Sequence, residues 1–140
     1  MSIDAPIVSL RAPPIAQYRD GGTGVDYVHS WDSGRPGRHV MITALTHGNE
    51  ICGAIALDYL FGLGLRPATG RLTYAFVNVA AYDRFDVRSP YSSRFVDEDF
   101  NRLWLEERLD GTGASAELAR ARALRPVFES VDDLLDIHSM

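Results

Sequence analysis

An uninterrupted apolar segment over residues 39–46 places the strongest constraint on how this chain can fold. It reads HVMITALT and is rich in β-branched residues, which is typical of a central strand covered on both faces. The pattern over Ile51–Phe61 predicts a buried helix, because the segment is apolar on nearly every face. Two more buried strands are predicted over Leu72–Val79 and Val131–Ile137. Strands that alternate with helices predict an α/β domain whose mixed, largely parallel sheet is flanked by helices.

The rest of the chain carries weaker patterns. Short strands are predicted over Ile7–Leu10, within an irregular proline- and glycine-rich entry, and over Val25–Trp31, where the residue pattern alternates. Helices are predicted over Asp99–Leu109 and Ala114–Ser130, and Pro126 should interrupt or kink the second of them. No linker divides the sequence, so we expect all 140 residues to belong to a single domain.

Composition assigns the chain to the globular class and narrows its partners. The 140 residues are 46% hydrophobic and 24% charged, with a formal net charge of −5. This acidic balance argues against nucleic acid and anionic membranes as partners. No apolar run approaches the roughly 20 residues that span a bilayer. We therefore expect a soluble, cytoplasmic protein.

Two residue counts exclude particular chemistries. The single cysteine, Cys52, cannot form a disulfide within the chain or contribute to a multi-cysteine zinc site. All 14 basic residues are arginine. Within these residues, therefore, no lysine can act as a Schiff base, a phosphate ligand or a general base.

Three side chains at predicted strand ends have the spacing of metal ligands. His47 and Glu50 lie three residues apart after the central strand, so an imidazole and a carboxylate can converge on one ion. His138 ends another predicted strand, at the sheet edge where α/β proteins place their active sites. Two histidines and one glutamate with an open fourth position are typical of catalytic zinc. The alternative is that each histidine is an ordinary hydrogen-bonded loop residue.

A second polar cluster, RFVDEDFNR, covers residues 94–102. In the simplest interpretation, Asp97 or Asp99 caps the helix that follows and the remaining polar side chains are solvated. A calcium loop is excluded, because Arg102 stands where that loop needs glycine and Arg108 where it needs a bidentate glutamate. In a functional interpretation, an arginine and a neighbouring amide bind a carboxylate while another arginine stabilises an oxyanion.

Three motifs together carry a family resemblance. HGNE at 47–50, RFVDEDFNR at 94–102 and DIHS at 136–139 resemble, in order and approximate spacing, the succinylglutamate desuccinylase/aspartoacylase family. That family belongs to the zinc carboxypeptidase superfamily. The resemblance covers residues 40–139 and implies a zinc carboxypeptidase-like fold, also described as phosphorylase/hydrolase-like.

The resemblance implies a metal centre with Zn²⁺ as the cofactor. His47 and Glu50 match the first two zinc ligands of the family, and His138 matches the third. Asp99 matches an aspartate that orients the first zinc histidine through its other ring nitrogen. Asp136 is expected to orient His138 in a similar way, although it also fits a simple strand-end carboxylate.

The resemblance also implies a substrate site. Asn101 and Arg102 match the pair that binds the free carboxylate of the substrate, and Arg94 matches the arginine that polarises the scissile carbonyl. The implied activity is a zinc-dependent deacylase that cleaves the amide bond of a small N-acyl amino acid. Two alternatives stay open: a zinc carboxypeptidase, and a non-catalytic module that binds a metal and a carboxylate.

One part of the implied mechanism has no counterpart in these 140 residues. The family uses a glutamate downstream of the third ligand as the general base that activates water, but every glutamate here precedes His138. Glu106, Glu107 and Glu117 fall on polar helix positions and are expected to be solvated. We therefore expect an N-terminal fragment of a longer chain that is inactive alone. We also expect an exposed apolar edge on the last strand, which would favour homo-oligomers.

Overall fold

The computed structural model describes residues 9–139. A four-stranded sheet, ordered β1-β3-β2-β4, forms its centre. The strands and α-helices in chain order are β1 (Val28–Asp32), β2 (His39–Ala44), α1 (Ile51–Leu63), β3 (Arg71–Phe76), α2 (Val79–Tyr82), α3 (Glu106–Leu109), α4 (Ala116–Glu129) and β4 (Asp133–Ile137). Three 3₁₀ turns cover Ala16–Tyr18, Pro90–Ser93 and Phe100–Arg102. None of the helices in residues 9–139 combines the length and apolar composition that crossing a bilayer requires.

The sheet is mixed and largely parallel, which confirms the predicted fold class. Strand β2 pairs in parallel with β3 on one side and with β4 on the other, and only β1 runs antiparallel. Ala44, the last residue of β2, pairs with Phe76 of β3 and with Ile137 of β4. The carboxyl ends of all three parallel strands therefore meet at one sheet edge, where the loops that follow them can form a site.

Helices cover both faces of the sheet and bury two apolar clusters. Alternate strand residues point to opposite faces, so β1, β2 and β3 each contribute to both clusters. On the α1 face, the buried residues include Ala44, Leu45, Ile51, Ala54, Leu57, Tyr74 and Phe76. On the α4 face, they include Val28, Met41, Ala75, Val77, Phe100, Leu118, Ala121 and Leu124. The result is a three-layer α/β/α arrangement.

Two elements predicted to be buried are only partly so. Helix α1 buries one face, whereas Tyr59 and Leu63 are exposed on the other. Strand β4 lies at the edge of the sheet, and its Leu134 and Leu135 are 48% and 57% exposed, which agrees with the apolar edge expected on the last strand. An apolar sequence predicts that a segment prefers burial, but only the arrangement of neighbouring elements decides whether something covers it.

The structure corrects three other predictions. The helix expected over Asp99–Leu109 is a 3₁₀ turn and then the short α3, separated by non-helical residues. Helix α4 continues through Pro126, so of the two expected effects of this proline, interruption does not occur. The strand expected over Ile7–Leu10 falls partly outside the described residues, and Ser9 and Leu10 are not in a strand.

Candidate metal centre and substrate site

The loop after β2 turns sharply before it reaches the first candidate ligand. Leu45 adopts a left-handed backbone conformation with φ of 64°, which is uncommon for a residue other than glycine. Its side chain is fully buried, and its carbonyl accepts a hydrogen bond from the Asn78 N–H at 2.7 Å. Packing therefore maintains an unfavourable conformation at the point where the chain leaves the sheet toward His47.

The glycine of the HGNE motif is required by close backbone packing. The Gly48 N–H donates to the carbonyl of Arg94 at 3.1 Å. A Cβ atom on this residue would lie 2.4 Å from the carbonyl oxygen of Ser93. This contact joins the loop after β2 to the segment that carries the second polar cluster, so only glycine fits between them.

The structure brings His47, Glu50 and His138 together. His47 Nδ1 lies 2.7 Å from Glu50 Oε1, and His138 Nδ1 lies 2.9 Å from Glu50 Oε2. One donor atom from each of the three residues falls within 4.8 Å of the others. His47 and Glu50 are each 2% exposed, whereas His138 lies at the more open side of the cluster.

Each imidazole in the cluster contacts an aspartate through its second nitrogen. His47 Nε2 lies 3.0 Å from Asp99 Oδ1, and His138 Nε2 lies 2.5 Å from Asp136 Oδ2. An aspartate on the far nitrogen fixes the tautomer and the ring orientation, as is usual for metal-ligating histidines. Both δ nitrogens then face Glu50. This donor set suits zinc, because two neutral imidazoles and one carboxylate are ligands that zinc prefers.

Asp136 is itself held by the register of the sheet. It pairs with Thr43 across the β2–β4 ladder, and the Thr43 hydroxyl donates to Asp136 Oδ1 at 2.8 Å. The Thr46 hydroxyl donates to the same carboxylate at 3.0 Å. The strand pairing therefore positions the carboxylate that contacts His138.

The surroundings of Glu50 favour its ionised form. Burial alone would raise the pKa of Glu50, but the hydrogen bond from His47 and the charges of His47 and His138 lower it overall. The hydrogen bond to Glu50 raises the pKa of His47, against the opposing effect of burial. A cation and a proton therefore compete for the same buried imidazole.

The second polar cluster lies beside these groups. Arg94 Nη2 lies 3.4 Å from Asp99 Oδ2, so the arginine joins the network that starts at His47. Asn101 and Arg102 are the two exposed residues of a 3₁₀ turn whose N-cap is Asp99. The backbone N–H of Asn101 donates to Asp99 Oδ1 at 2.9 Å.

Asn101 and Arg102, the two residues predicted to bind the substrate carboxylate, lie in different surroundings. Asn101 lines a cavity of about 230 Å³ together with Thr46 and Asp136, the carboxylate that contacts His138. Arg102 is exposed, and within residues 9–139 its guanidinium forms no ion pair. It is therefore available to an incoming anion, but no contact links it directly to the three candidate ligands.

Sequence reasoning missed Glu117, which is fully buried and not solvated as expected. It lies in the first turn of α4 and accepts hydrogen bonds from the backbone of residues 96–98 and from Asn78. Three residues on, the Arg120 guanidinium donates to the carbonyls of Phe76 and Val77, each at 2.9 Å. The sequence predicted the helix over Ala114–Ser130, but the burial of Glu117 depends on groups that lie 19 to 39 positions away along the chain.

The fold and the site together define an α/β domain with a mixed, largely parallel sheet and a candidate metal-binding cluster at the carboxyl ends of its parallel strands. The family model for the succinylglutamate desuccinylase/aspartoacylase catalytic domain matches residues 36–140. The chain therefore belongs to the succinylglutamate desuccinylase/aspartoacylase family. No curated protein sequence shows significant similarity to it.

Solved structures share the same fold. Murine aminoacylase 3 is 29% identical with a TM-score of 0.56, over 74% of this chain and 36% of its own. An aspartoacylase family protein from Mesorhizobium loti is 25% identical with a TM-score of 0.59, over 81% of this chain and 34% of its own. Succinylglutamate desuccinylase from Chromobacterium violaceum is 20% identical with a TM-score of 0.62, over 82% and 37%. The chain thus spans about a third of the length of the structures it matches.

Proposed function

We propose that the protein is a zinc-dependent deacylase that hydrolyses the amide bond of an N-acyl amino acid. The observation that carries this proposal is the convergence of His47, Glu50 and His138, with an aspartate behind each imidazole. Membership of a family of desuccinylases and aspartoacylases supports the reaction class. The substrate would be a small molecule that bears a free carboxylate.

The three convergent side chains would hold the metal. Zinc, when bound, acts as a Lewis acid that polarises an amide carbonyl and activates water. Asp99 keeps the proton of His47 on Nε2, which leaves the lone pair of Nδ1 free for the metal. Asp136 does the same for His138, and Glu50 supplies the negative charge.

Arginine side chains would bind and polarise the substrate. Arg94 uses one N–H toward Asp99, and its side chain remains partly exposed, so other N–H groups stay available for an oxyanion. Arg102 carries an exposed guanidinium suited to two parallel hydrogen bonds with a carboxylate. Asn101, which lines the adjoining cavity, would contribute an amide to the same carboxylate.

Two measurements on the whole protein test the proposal. Elemental analysis after purification without added metal should find about one zinc per chain in the wild type and much less in His47→Ala. Hydrolysis should then be followed on acetyl-, succinyl- and formyl-amino acids, with C-terminal dipeptides as the comparison. Zinc-free wild type would refute the metal centre, and cleavage of dipeptides alone would replace the deacylase by a carboxypeptidase.

A further inference from the structure

A buried carboxylate lies behind the candidate site without touching any of its three metal ligands. Glu117 has no exposed surface. Its Oε1 accepts from Asn78 Nδ2 at 3.1 Å and from the Val96 N–H at 2.5 Å. Its Oε2 accepts from the N–H groups of Asp97 at 3.0 Å and Glu98 at 3.3 Å. Three consecutive backbone donors therefore surround one side chain from a distant helix.

The segment that Glu117 binds leads directly into the metal centre. Asp99 is the next residue, and its carboxylate contacts His47 Nε2 and Arg94. At the other end of the segment, the Arg94 carbonyl accepts from the Gly48 N–H. The position of residues 96–98 thus determines where the carboxylate behind His47 lies.

The charge of Glu117 is compensated by backbone dipoles. Within the described residues it forms no ion pair with an arginine or histidine. Its position in the first turn of α4 places it where the helix dipole favours an anion. Burial opposes ionisation, but the hydrogen bonds from the Val96 N–H and from Asn78 lower the pKa of Glu117 overall. The ionised carboxylate can accept hydrogen bonds from all three converging backbone N–H groups.

We propose that Glu117 is a positioning residue of this enzyme, which holds residues 96–98 so that Asp99 orients His47 for metal binding and Arg94 faces the substrate. This inference rests on the proposed function. It predicts that the side chain acts on metal affinity and on turnover through Asp99, without contact to metal or substrate.

The sharpest variant is Glu117→Gln, which keeps size and shape. Each carboxylate oxygen of Glu117 accepts from two N–H groups. In glutamine one of these oxygens is replaced by an NH₂ group, which is a donor, so two N–H groups lose their acceptor. Other contacts between α4 and the same segment remain: Asp97 accepts from the Ala116 N–H at 2.7 Å, and Glu98 accepts from the Ser115 hydroxyl. These contacts should allow the variant to fold. Glu107→Gln is the matched control, because Glu107 is an exposed glutamate on α3.

The experiment measures zinc affinity by competition with a chromophoric chelator, kcat and KM on an N-acyl amino acid, and Tm, all on the whole protein. Loss of an indirect support of a metal ligand should weaken zinc binding about tenfold and lower kcat/KM by a similar factor. Glu107→Gln should match the wild type. Measurements well below each Tm separate positioning from stability, because a purely structural role would lower Tm and leave zinc affinity unchanged.

A second variant covers a failure of Glu117→Gln to fold. Glu117→Asp keeps the charge but cannot reach all four donors, so amide hydrogen exchange at residues 96–98 should accelerate while exchange in β2 stays unchanged. Weaker zinc binding together with this faster exchange supports the proposal. Wild-type zinc affinity in both folded variants overturns it and leaves the deacylase proposal intact. Absence of zinc from the wild type overturns the proposed function and this inference together.

Discussion

Replacing Gly48 by alanine should displace the loop that carries two of the three candidate metal ligands. A Cβ atom at this position would lie 2.4 Å from the carbonyl carbon of Ala81, 2.4 Å from the Ser93 carbonyl oxygen and 2.5 Å from the Tyr82 nitrogen. All three are backbone atoms, so no side chain can rotate out of the way. Because ordinary contact begins near 3.4 Å, the loop or its neighbours must move by about 1 Å.

A shift of this size should lower both the stability of the fold and the zinc affinity of the candidate metal centre. Overpacking a rigid region costs about 1–3 kcal/mol, which corresponds to a fall in Tm of roughly 3–12 °C in a chain of this size. The hydrogen bond from Gly48 to Arg94 would also be strained. Metal–ligand distances tolerate only about 0.2 Å, so zinc affinity should fall at least about tenfold. A misplacement of about 1 Å can lower a rate about 10²-fold.

Gly62→Ala provides the matched control for Gly48→Ala. Gly62 lies in α1, and a Cβ atom there would meet no heavy atom within 4 Å. Alanine at this helical position should stabilise the protein by about 0.5–1 kcal/mol and leave zinc affinity unchanged. Tm by differential scanning fluorimetry and zinc affinity by chelator competition measure both variants. A Gly48→Ala protein with the Tm and zinc affinity of the wild type would refute the steric argument.

The remaining predictions address the ligands, the arginines and the buried glutamate. His47→Ala should weaken zinc binding more than about 100-fold. His39→Ala is the control, because His39 lies at the opposite end of β2, and it should retain the metal. Equal loss of zinc in both variants would contradict the assignment of His47 as a metal ligand. Arg102→Ala should mainly raise KM. Arg94→Ala should lower kcat about 10²- to 10³-fold, which corresponds to a rise of about 2.7–4 kcal/mol in the activation barrier. An unchanged kcat in Arg94→Ala would assign Arg94 to substrate binding. Because the pKa of Glu117 is lowered in the folded state, its contribution to stability is present above the ordinary value of 4.5 and is lost as the pH falls below it. The difference in Tm between the wild type and Glu117→Gln should therefore narrow in acid, and a constant difference from pH 7 to pH 3 would contradict this.

Local patterns predicted the candidate metal cluster because its members follow strands. His47 and His138 each come shortly after a parallel strand, and parallel strands of one sheet end at the same edge. The same reasoning failed for Glu117, because a glutamate in the first turn of a helix is usually solvated, whereas this one lies on the buried face of α4 with Ala121 and Leu124. Its burial comes from residues 96–98, which approach it from about 20 positions earlier in the chain. Periodicity within one helix contains no information about such a loop.

By itself, the sequence determined the α/β class, the identity of the convergent histidines and glutamate, and the family. These depend on hydrophobic periodicity and on residue spacing, which are local properties. Only the tertiary structure decided that Gly48 has no room for a side chain and that Glu117 is a buried anion. Each of these depends on which distant segment lies alongside, and that is set by packing of the whole domain rather than by any short stretch of it.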